Sequence, residues 1–456
     1  MFEADKCLDE VKRIHFIGIG GSGMCPLAEI LHSKGYILSG SDNNETDTLA
    51  RIRNLGIEVM LGQRAENIIG AEMIVYTAAI MADNPELIAA KNSGIPTFER
   101  SKLLGAVSRK FGNCIGIAGT HGKTTTTSML TQMLINAGAD PSAVIGGKLP
   151  MTGTNGINGD SDIFVCEACE FSNTFLELTP ACSVVLNIDE DHMEFFKTLD
   201  NLKLSFEKFC NLADTVIYNG DDANTVDVIG RLSGKKLISF GADKSNNWYA
   251  DDIKMNNGAY AEYDVYHNGE KQGRAVLSVP GDHNVLNSLC AIACAVYSGI
   301  DVSDAISLVT GFTGAGRRFE KLSCINGIEI VDDYAHHPAE LKVTLDAAKR
   351  MNYNNVIAIF QPFTFSRTAM LLDDFASVLK IADKVIMTEI MGSREKNTYN
   401  IYTKDLADKI PGSEWFDTFE KVADRAIELA RPGDMIITLG CGDVYKIAKI
   451  IIEKLK

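Results

Sequence analysis

The sequence predicts an α/β protein of three successive domains, each built around a mainly parallel sheet. Three observations predict it. Short apolar runs alternate with helical patterns from about residue 10 onward, which is the signature of strands crossed over by helices that cover both faces of a sheet. Glycine-rich turns follow an apolar run directly at Gly18 to Gly23 and again at Gly119 to Gly122, so two separate strand–turn–helix units head two separate blocks. Between about residues 247 and 280 the pattern changes to alternation, with turn signals at Asn257-Gly258 and Asn268-Gly269, and predicts a small antiparallel insertion of hairpins.

The first block, residues 1–110, has strand candidates at Arg13–Ile17, Tyr36–Ser39, Ile57–Met60, Met73–Tyr76 and Ile95–Phe98, with a helix over Met24–Lys34. The second, residues 111–316, opens with Cys114–Ala118 and continues through Ile163–Val165, Ser183–Leu186, Thr215–Tyr218 and Lys236–Phe240 to an apolar helix over Ser288–Tyr297. The third, residues 317–456, repeats the alternation at Ile328–Val331, Val356–Phe360, Lys384–Met387 and Met435–Thr438. A length of 456 residues suits two or three such domains.

A net charge of −16 argues against general binding to nucleic acid or an anionic membrane, since both need basic surface. Any anionic ligand must then be drawn by local positive sites. No apolar run reaches the length of a membrane span, and the N-terminal stretch MFEADKCLDEVKR lacks the apolar core of a signal peptide, so a cytoplasmic location is expected. The eleven cysteines sit mostly in apolar segments, as reduced buried thiols do. Cys166 and Cys169 form a CxxC without a second pair or a nearby pair of histidines, which is a weak signal for zinc or redox chemistry.

Gly119-Thr-His-Gly-Lys-Thr-Thr-Thr-Thr127 carries the most chemistry. A strand, a glycine turn and a helix start bring backbone N–H groups and the positive end of a helix dipole onto one anion, and Lys123 adds a full charge. Thr124, directly after the lysine, supplies a hydroxyl suited to a nucleotide's magnesium ion. The pattern is the shorter GxxGKT, because Ile117 stands where the longer motif has its first glycine. A nucleoside triphosphate is the expected ligand; a solvated lysine in a plain turn is the alternative.

Gly18-Ile-Gly-Gly-Ser-Gly23 satisfies GxGxxG, and Asp42 follows near the spacing of a ribose-binding acid. Taken alone this suggests NAD or FAD, yet such a turn accepts any nucleoside diphosphate, and a second nucleotide site downstream makes hydride transfer less attractive. Glu167 and Glu170 follow one apolar run, and Asp189, Asp191 and His192 follow the next, so all five are placed at the strand ends where the lysine loop lies. Carboxylates with a threonine hydroxyl suit magnesium; solvated loop acids are the alternative. His283, Asn284 and Asn287 suit helix capping as well as base recognition, and Arg317-Arg318 suits a phosphate clamp as well as a charged linker. Asp332-Asp-Tyr-Ala-His-His-Pro338 and Gln361-Pro-Phe-Thr-Phe-Ser-Arg-Thr368 end successive strands of the third block and suit substrate or nucleotide contact.

In this order HFIGIGGSGM, GSD, GTHGKTTTT, NIDEDHM, HNVLNS, RRFE, DDYAHHP, FQPFTFSRT and GCGD resemble the markers of the Mur ligase family across almost the whole chain. The resemblance implies a Rossmann-like N-terminal domain, a central P-loop-type ATPase domain and a Rossmann-like C-terminal domain that closes on ATP and the amino acid. It implies that L-alanine is joined to the carboxylate of UDP-N-acetylmuramate through an acyl phosphate, with ATP consumed, in peptidoglycan precursor synthesis. Two Mg2+ ions, replaceable by Mn2+, are implied as well, in a monomer or weak homodimer whose substrates are small molecules. Attachment of a murein tripeptide to the same sugar nucleotide is the alternative within the family. An NAD-dependent oxidoreductase and a nucleotide-dependent binding module are the alternatives outside it.

Placed on this chain, the resemblance implies that Gly18, Gly20, Gly21, Ser22, Gly23, Ser41 and Asp42 hold the UDP-sugar. Gly119, Thr120, His121, Gly122, Lys123, Thr124 and Thr125 would hold the ATP phosphates, with Asn284 and Asn287 at the adenine end and Arg318 and Asp333 near the phosphates. Thr124, Glu167 and His192 would hold metal, with Glu170 as a further candidate ligand. Tyr334, His336 and Arg367 would arrange the amino acid or the closed domain, and Lys123, Glu167, His192, His336 and Arg367 would serve catalysis. Three motifs depart from the family: its EADESD reads Glu167-Ala-Cys-Glu-Phe-Ser172, its FQPH carries Phe363, and its GAGD reads Gly440-Cys-Gly-Asp443.

Overall fold

The computed structural model describes residues 3–393 and 395–456, apart from the side chain of Glu194. Met1 and Phe2, part of the terminal stretch read above for a signal core, lie outside the described residues. Among the described residues no helix is long and apolar enough to cross a membrane.

The first sheet consists of β1 (Arg13–Ile17), β2 (Ile37–Asp42), β3 (Glu58–Leu61), β4 (Met73–Tyr76) and β5 (Thr97–Glu99), all parallel, in the order β3-β2-β1-β4-β5. The order reverses between β1 and β4, which leaves a crevice at the carboxyl ends of these two strands. Four of the five β1 residues are buried, the continuous pattern of a strand covered on both faces. The fifth strand begins later than expected. Pro96 has no N–H for the ladder and contributes only its carbonyl, which accepts from the Ile74 N–H at 2.9 Å.

The second sheet contains β6 (Asn113–Ala118), β7 (Ser142–Leu149), β8 (Thr154–Ile157), β9 (Ile163–Glu167), β10 (Cys182–Val185), β11 (Thr215–Asn219), β12 (Lys236–Gly241), β13 (Trp248–Asn256), β14 (Tyr260–His267) and β15 (Glu270–Pro280). Its order is β15-β14-β13-β12-β11-β10-β6-β9-β7-β8. The pairs from β7 through β9, β6, β10, β11 and β12 to β13 are parallel. The tight turns that join β13 to β14 and β14 to β15 fall at the two Asn-Gly pairs, where Asn257, Gly258, Asn268 and Gly269 all have positive φ. The hairpin β7–β8 was not foreseen; Gly146 and Gly147 interrupt its apolar run, and its register shifts between Val144 and Leu149.

The third sheet contains β16 (Glu320–Ile325), β17 (Ile328–Asp333), β18 (Val356–Phe360), β19 (Lys384–Thr388), β20 (Glu414–Phe416) and β21 (Met435–Leu439), in the order β16-β17-β21-β18-β19-β20. Only the edge strand β16 is antiparallel to its neighbour.

The chain packs into two compact units. One comprises the residues up to 252 with 264–275 and 286–312; the other comprises 253–263, 276–285 and 313–456. In the first unit the first two sheets share one core, in which Phe16, Leu27 and Leu104 belong to the same cluster as Phe164, Phe175, Phe206 and Phe209. Phe175 and Phe209 stack with ring centroids 4.6 Å apart. The β7–β8 hairpin also reaches the first glycine turn, where Asn155 Nδ2 donates to the Ser22 carbonyl at 2.5 Å. In the second unit the sheet buries alternate residues on opposite faces, with Val331 and Phe360 in one core and Ile330 and Ile359 in another.

Candidate active site

The lysine loop runs from the end of β6 into the helix Lys123–Asn136. Gly119 has φ +145°, and a Cβ there would stand 2.9 Å from Leu186 Cβ. Gly122, the residue before the helix, is left-handed at φ +86°, and a Cβ would stand 2.6 Å from Asn287 Oδ1. Both positions therefore need glycine.

The loop is pinned from β10 by Asn187, a residue that sequence reasoning did not single out. Its Oδ1 accepts from the His121 N–H at 2.8 Å, its Nδ2 donates to the His121 carbonyl at 3.1 Å, and its own carbonyl accepts from the Thr120 N–H at 3.1 Å. The Thr120 hydroxyl closes the clamp, accepting from the Asp189 N–H at 2.9 Å. The only signal available was its place after an apolar run, ahead of the acids.

Lys123 folds back over this loop. Its ammonium donates to the Gly119 carbonyl at 2.5 Å and the Thr120 carbonyl at 3.1 Å, and lies 3.0 Å from both Glu170 carboxylate oxygens. Burial works against the charge, but Glu170, Cys169 and Glu167 outweigh it and raise the pKa of Lys123 above its ordinary value. Thr124 is buried in the first helical turn and Thr125 is half-buried.

The two glutamates of β9 and its end differ in surroundings. Glu167 turns toward β7, where Oε2 accepts from the Gly146 N–H at 2.9 Å. Glu170 is only 1% exposed and comes together with Asp191 and His192, one ligand atom of each lying within 4.8 Å of the others. His192 is held left-handed at φ +55° ahead of the short helix Met193–Phe196, with its ring 4.7 Å from that of Phe171. Two carboxylates and an imidazole suit a divalent cation of the magnesium or manganese kind. The CxxC behaves differently: burial pushes the Cys169 thiol up to about 11, and Cys166 also titrates above its ordinary value, chiefly through its contact with Cys114 and through burial. These are not the lowered values of a reactive pair.

The first glycine turn follows β1 and bounds a cleft of about 600 Å³ at the crevice between β1 and β4. Gly18, Gly21, Asp42, Gln63, Thr77 and Asn84 are among its lining residues. The N–H groups of Gly18 and Ile19 donate to the Ser41 carbonyl at 2.8 and 3.0 Å, and Gly20 N–H donates to Asp42 Oδ2 at 3.0 Å. Ser41 supports the turn from beneath: its side chain is fully buried and its hydroxyl donates to Glu86 Oε2 at 2.7 Å. Its side chain is therefore spent on holding the loop.

In the helix His283–Tyr297, Asn284 Nδ2 donates to the Pro280 carbonyl at 2.7 Å, while Asn287 places Oδ1 beside Gly122. Within the second unit, the two neighbouring arginines separate in role. Arg317 is spent on structure, with Nε 2.8 Å from Asp332 Oδ2 and further bonds to the Gly440 and Gly442 carbonyls at 2.5 and 2.9 Å. Arg318 shares the Tyr334 ring with it, at 5.0 Å against 5.1 Å for Arg317. Asp333 accepts from the Phe319 and Ala335 N–H groups at 2.7 Å each. Burial nevertheless pushes its pKa up to about 6 against the pull of Arg318. His336 packs edge-on to Tyr334 and to Phe363, with ring centroids 5.5 and 6.3 Å away. Burial holds its pKa below the ordinary value, opposed by Glu340 and assisted by Arg367. Asp333, Tyr334, His336 and Arg367 thus gather at the carboxyl ends of β17 and β18.

Comparison with known proteins bears on all three sheets. Residues 13–112 match a model described as the Mur ligase family catalytic domain, 117–295 the Mur ligase middle domain and 317–442 the Mur ligase glutamate ligase domain. A UDP-N-acetylmuramate--L-alanine ligase of Caldanaerobacter subterraneus subsp. tengcongensis is 41% identical over 456 residues, covering 98% of this chain and 99% of the relative. The chain belongs to the Mur ligase family. A second relative so named, from Acetivibrio thermocellus, is 40% identical over 98% of this chain and 96% of its own length. The solved UDP-N-acetylmuramate-alanine ligase of Thermotoga maritima superposes with a TM-score of 0.84 at 27% identity, covering 97% of this chain and 98% of that one. A murein peptide ligase of Psychrobacter arcticus shares the fold, with a TM-score of 0.76 at 23% identity over 98% of this chain and 99% of that one. As a Mur ligase the chain is an ATP-dependent, amide-forming enzyme, which removes the oxidoreductase and binding-module readings of the two glycine turns.

Proposed function

We propose that this Mur ligase joins L-alanine to the lactyl carboxylate of UDP-N-acetylmuramate, in the cytoplasm, as a step of peptidoglycan precursor synthesis. The observation that carries the reading is identity of about 40%, from end to end, with relatives named for that reaction. Two separate features of one compact unit, the β1–β4 cleft and the Lys123 loop, support it as candidate nucleotide sites.

A carboxylate is a poor electrophile and repels a triphosphate. In the proposed sequence a carboxylate oxygen bonds to the γ-phosphorus while the bond to the ADP oxygen breaks, giving an acyl phosphate. The neutral amine of alanine then attacks the carbonyl carbon, the nitrogen loses a proton, and phosphate leaves. Lys123 exchanges its bonds to Gly119, Thr120 and Glu170 for the β- and γ-phosphates and stabilises charge on the group in transfer. Glu170, Asp191 and His192 would hold a divalent cation, with Thr124 and Glu167 as further ligands. The chemistry such an ion supplies is neutralisation of charge between triphosphate and carboxylate. Arg318, Asp333, Tyr334, His336 and Arg367 are proposed to serve the ATP phosphates and the amino acid. Burial favours the neutral form of His336, and Arg367 offers the charge that an amino-acid carboxylate requires.

The test is phosphate release. It is expected to require ATP, UDP-N-acetylmuramate and L-alanine together, and to fall to background in Lys123→Ala. A preference for a murein tripeptide over alanine would reassign the substrate, and turnover of ATP indifferent to the sugar nucleotide would end the reading.

A further inference from the structure

Arg100 opens the helix Arg100–Ser108 directly after β5, on the ligand edge of the first sheet. Its side chain lies against the last glycine of the first turn. A Cβ on Gly23 would stand 3.0 Å from Arg100 Cδ and 3.2 Å from both Nε and Nη1. The missing side chain of Gly23 is thus the seat of a guanidinium, which explains this glycine better than helix–strand packing does. Two other arginines of the same unit are taken up by carboxylates, Arg51 by Glu29 at 2.8 Å and Arg109 by Asp5 at 2.9 Å. Arg100 makes no side-chain hydrogen bond or ion pair among the described residues.

The charge balance of the cleft gives this cation a purpose. Among the described residues the cleft lining contains Asp42 and Asp83 and no lysine or arginine, in a chain of net charge −16. Gly21 lines that cleft, and Gly23, against which the guanidinium lies, follows it by two residues in the same turn. The N–H groups of Gly18, Ile19, Gly20 and Gly21 are spent within the protein, so the compensating positive charge is left to a side chain. A guanidinium meets phosphate with two parallel donors.

We propose that Arg100 is the diphosphate-anchoring residue of the sugar-nucleotide site, and that Gly23 is glycine in order to admit it. The proposal rests on the reading of the β1–β4 cleft as the site for UDP-N-acetylmuramate. It concerns binding of the diphosphate and takes no part in phosphoryl transfer.

The experiment measures binding of UDP and of uridine to the full chain by calorimetry, for the unaltered protein, Arg100→Lys and Arg100→Met. Affinity for UDP is expected to fall about 10- to 100-fold in Arg100→Met, the scale of charge-assisted hydrogen bonds, while uridine binding stays the same. Arg100→Lys is expected to fall between, since it keeps the charge and loses the fork. Unchanged ATP affinity in both variants shows that the unit is folded. Equal loss for UDP and uridine, or no loss for UDP, overturns the proposal. A second arm compares UDP-N-acetylmuramate with UDP-N-acetylglucosamine, which has the diphosphate and lacks the lactyl carboxylate. Equal loss for both supports the diphosphate, whereas loss confined to the muramate assigns Arg100 to the carboxylate and overturns the proposal as stated. If neither UDP nor uridine binds the unaltered protein, the failure belongs to the sugar-nucleotide reading.

Discussion

His15 Nε2 lies 2.6 Å from Glu86 Oε1, and neither side chain has any exposed surface. The same carboxylate takes the Ser41 hydroxyl on its other oxygen, and the Ser41 carbonyl takes the first two N–H groups of the glycine turn. His15 Nδ1 completes the chain with Ser39 Oγ at 2.8 Å. A buried polar network of this kind lies directly beneath the first glycine turn, and every member has a partner.

Glu86→Ala leaves His15 and Ser41 without their shared acceptor. It is expected to cost about 3–5 kcal/mol, the scale for breaking a buried pair, as read by urea unfolding. Glu86→Gln keeps one acceptor oxygen and should lose about 1–2 kcal/mol. Because the loop hangs from Ser41, KM for the sugar nucleotide should rise in Glu86→Gln while KM for ATP does not. Equal rises in both would mean that the network serves stability alone.

Lys123→Ala should lower kcat by at least about 100-fold, or roughly 3 kcal/mol of transition-state stabilisation. Lys123→Arg should not restore it, because the Gly119 and Thr120 carbonyls and Glu170 enclose a point charge rather than a planar fork. Steady-state phosphate release checks both variants.

Gly122→Ala places a methyl group against Asn287 at a left-handed residue. The strain is about 1–3 kcal/mol. It should appear as weaker ATP binding with UDP binding unchanged, measured by calorimetry on one sample.

Glu170→Gln and Glu167→Gln separate the two glutamates. Glu170 shares the cluster with Asp191 and His192, whereas Glu167 accepts from Gly146. The Mg2+ concentration for half-maximal activity should therefore rise more in Glu170→Gln. A larger rise in Glu167→Gln would transfer the principal ligand to that residue.

Asp333 has a pKa of about 6, raised by burial, whereas an unfolded chain titrates near 3.9. Between those values the folded protein binds more protons than the unfolded one, so stability declines as pH rises from about 4 to about 6. The decline attributable to this group is on the order of 2–3 kcal/mol. Asp333→Asn should flatten that part of the profile in denaturant titrations at several pH values, and an unchanged slope would place the proton elsewhere.

The three sheets were legible because their strands are buried on both faces and read as continuous apolar runs, as at Ile163–Val165 and Val356–Phe360. The Asn-Gly pairs announced the hairpins because only residues tolerant of positive φ suit those turns. The hairpin β7–β8 was illegible because it is short and glycine-interrupted, and is held by neighbours distant in sequence. In the candidate site, motif residues such as Lys123 and Gly122 declared themselves by spacing. Asn187, Glu86 and Arg100 did not, because their roles come from tertiary contacts distant in sequence, such as the 45 residues that separate Glu86 from Ser41 and the 66 that separate Asn187 from His121. Arg317 and Arg318 look alike in sequence, and the bonds of Arg317 to Asp332 and to the Gly440 and Gly442 carbonyls tell them apart.

The shared core of the first two sheets, with Asn155 bonded to the Ser22 carbonyl, bears on how such a chain can be recombined. A crossover near residue 112 would join one parent's glycine turn to another parent's hairpin and split a single set of interlocking aromatic residues between two ancestries. A crossover near residue 312 would leave that set whole. Chimeras with other Mur ligases should therefore take both glycine loops, Gly18–Gly23 and Gly119–Gly122, from one parent, and 253–263 and 276–285 from the parent of the C-terminal sheet.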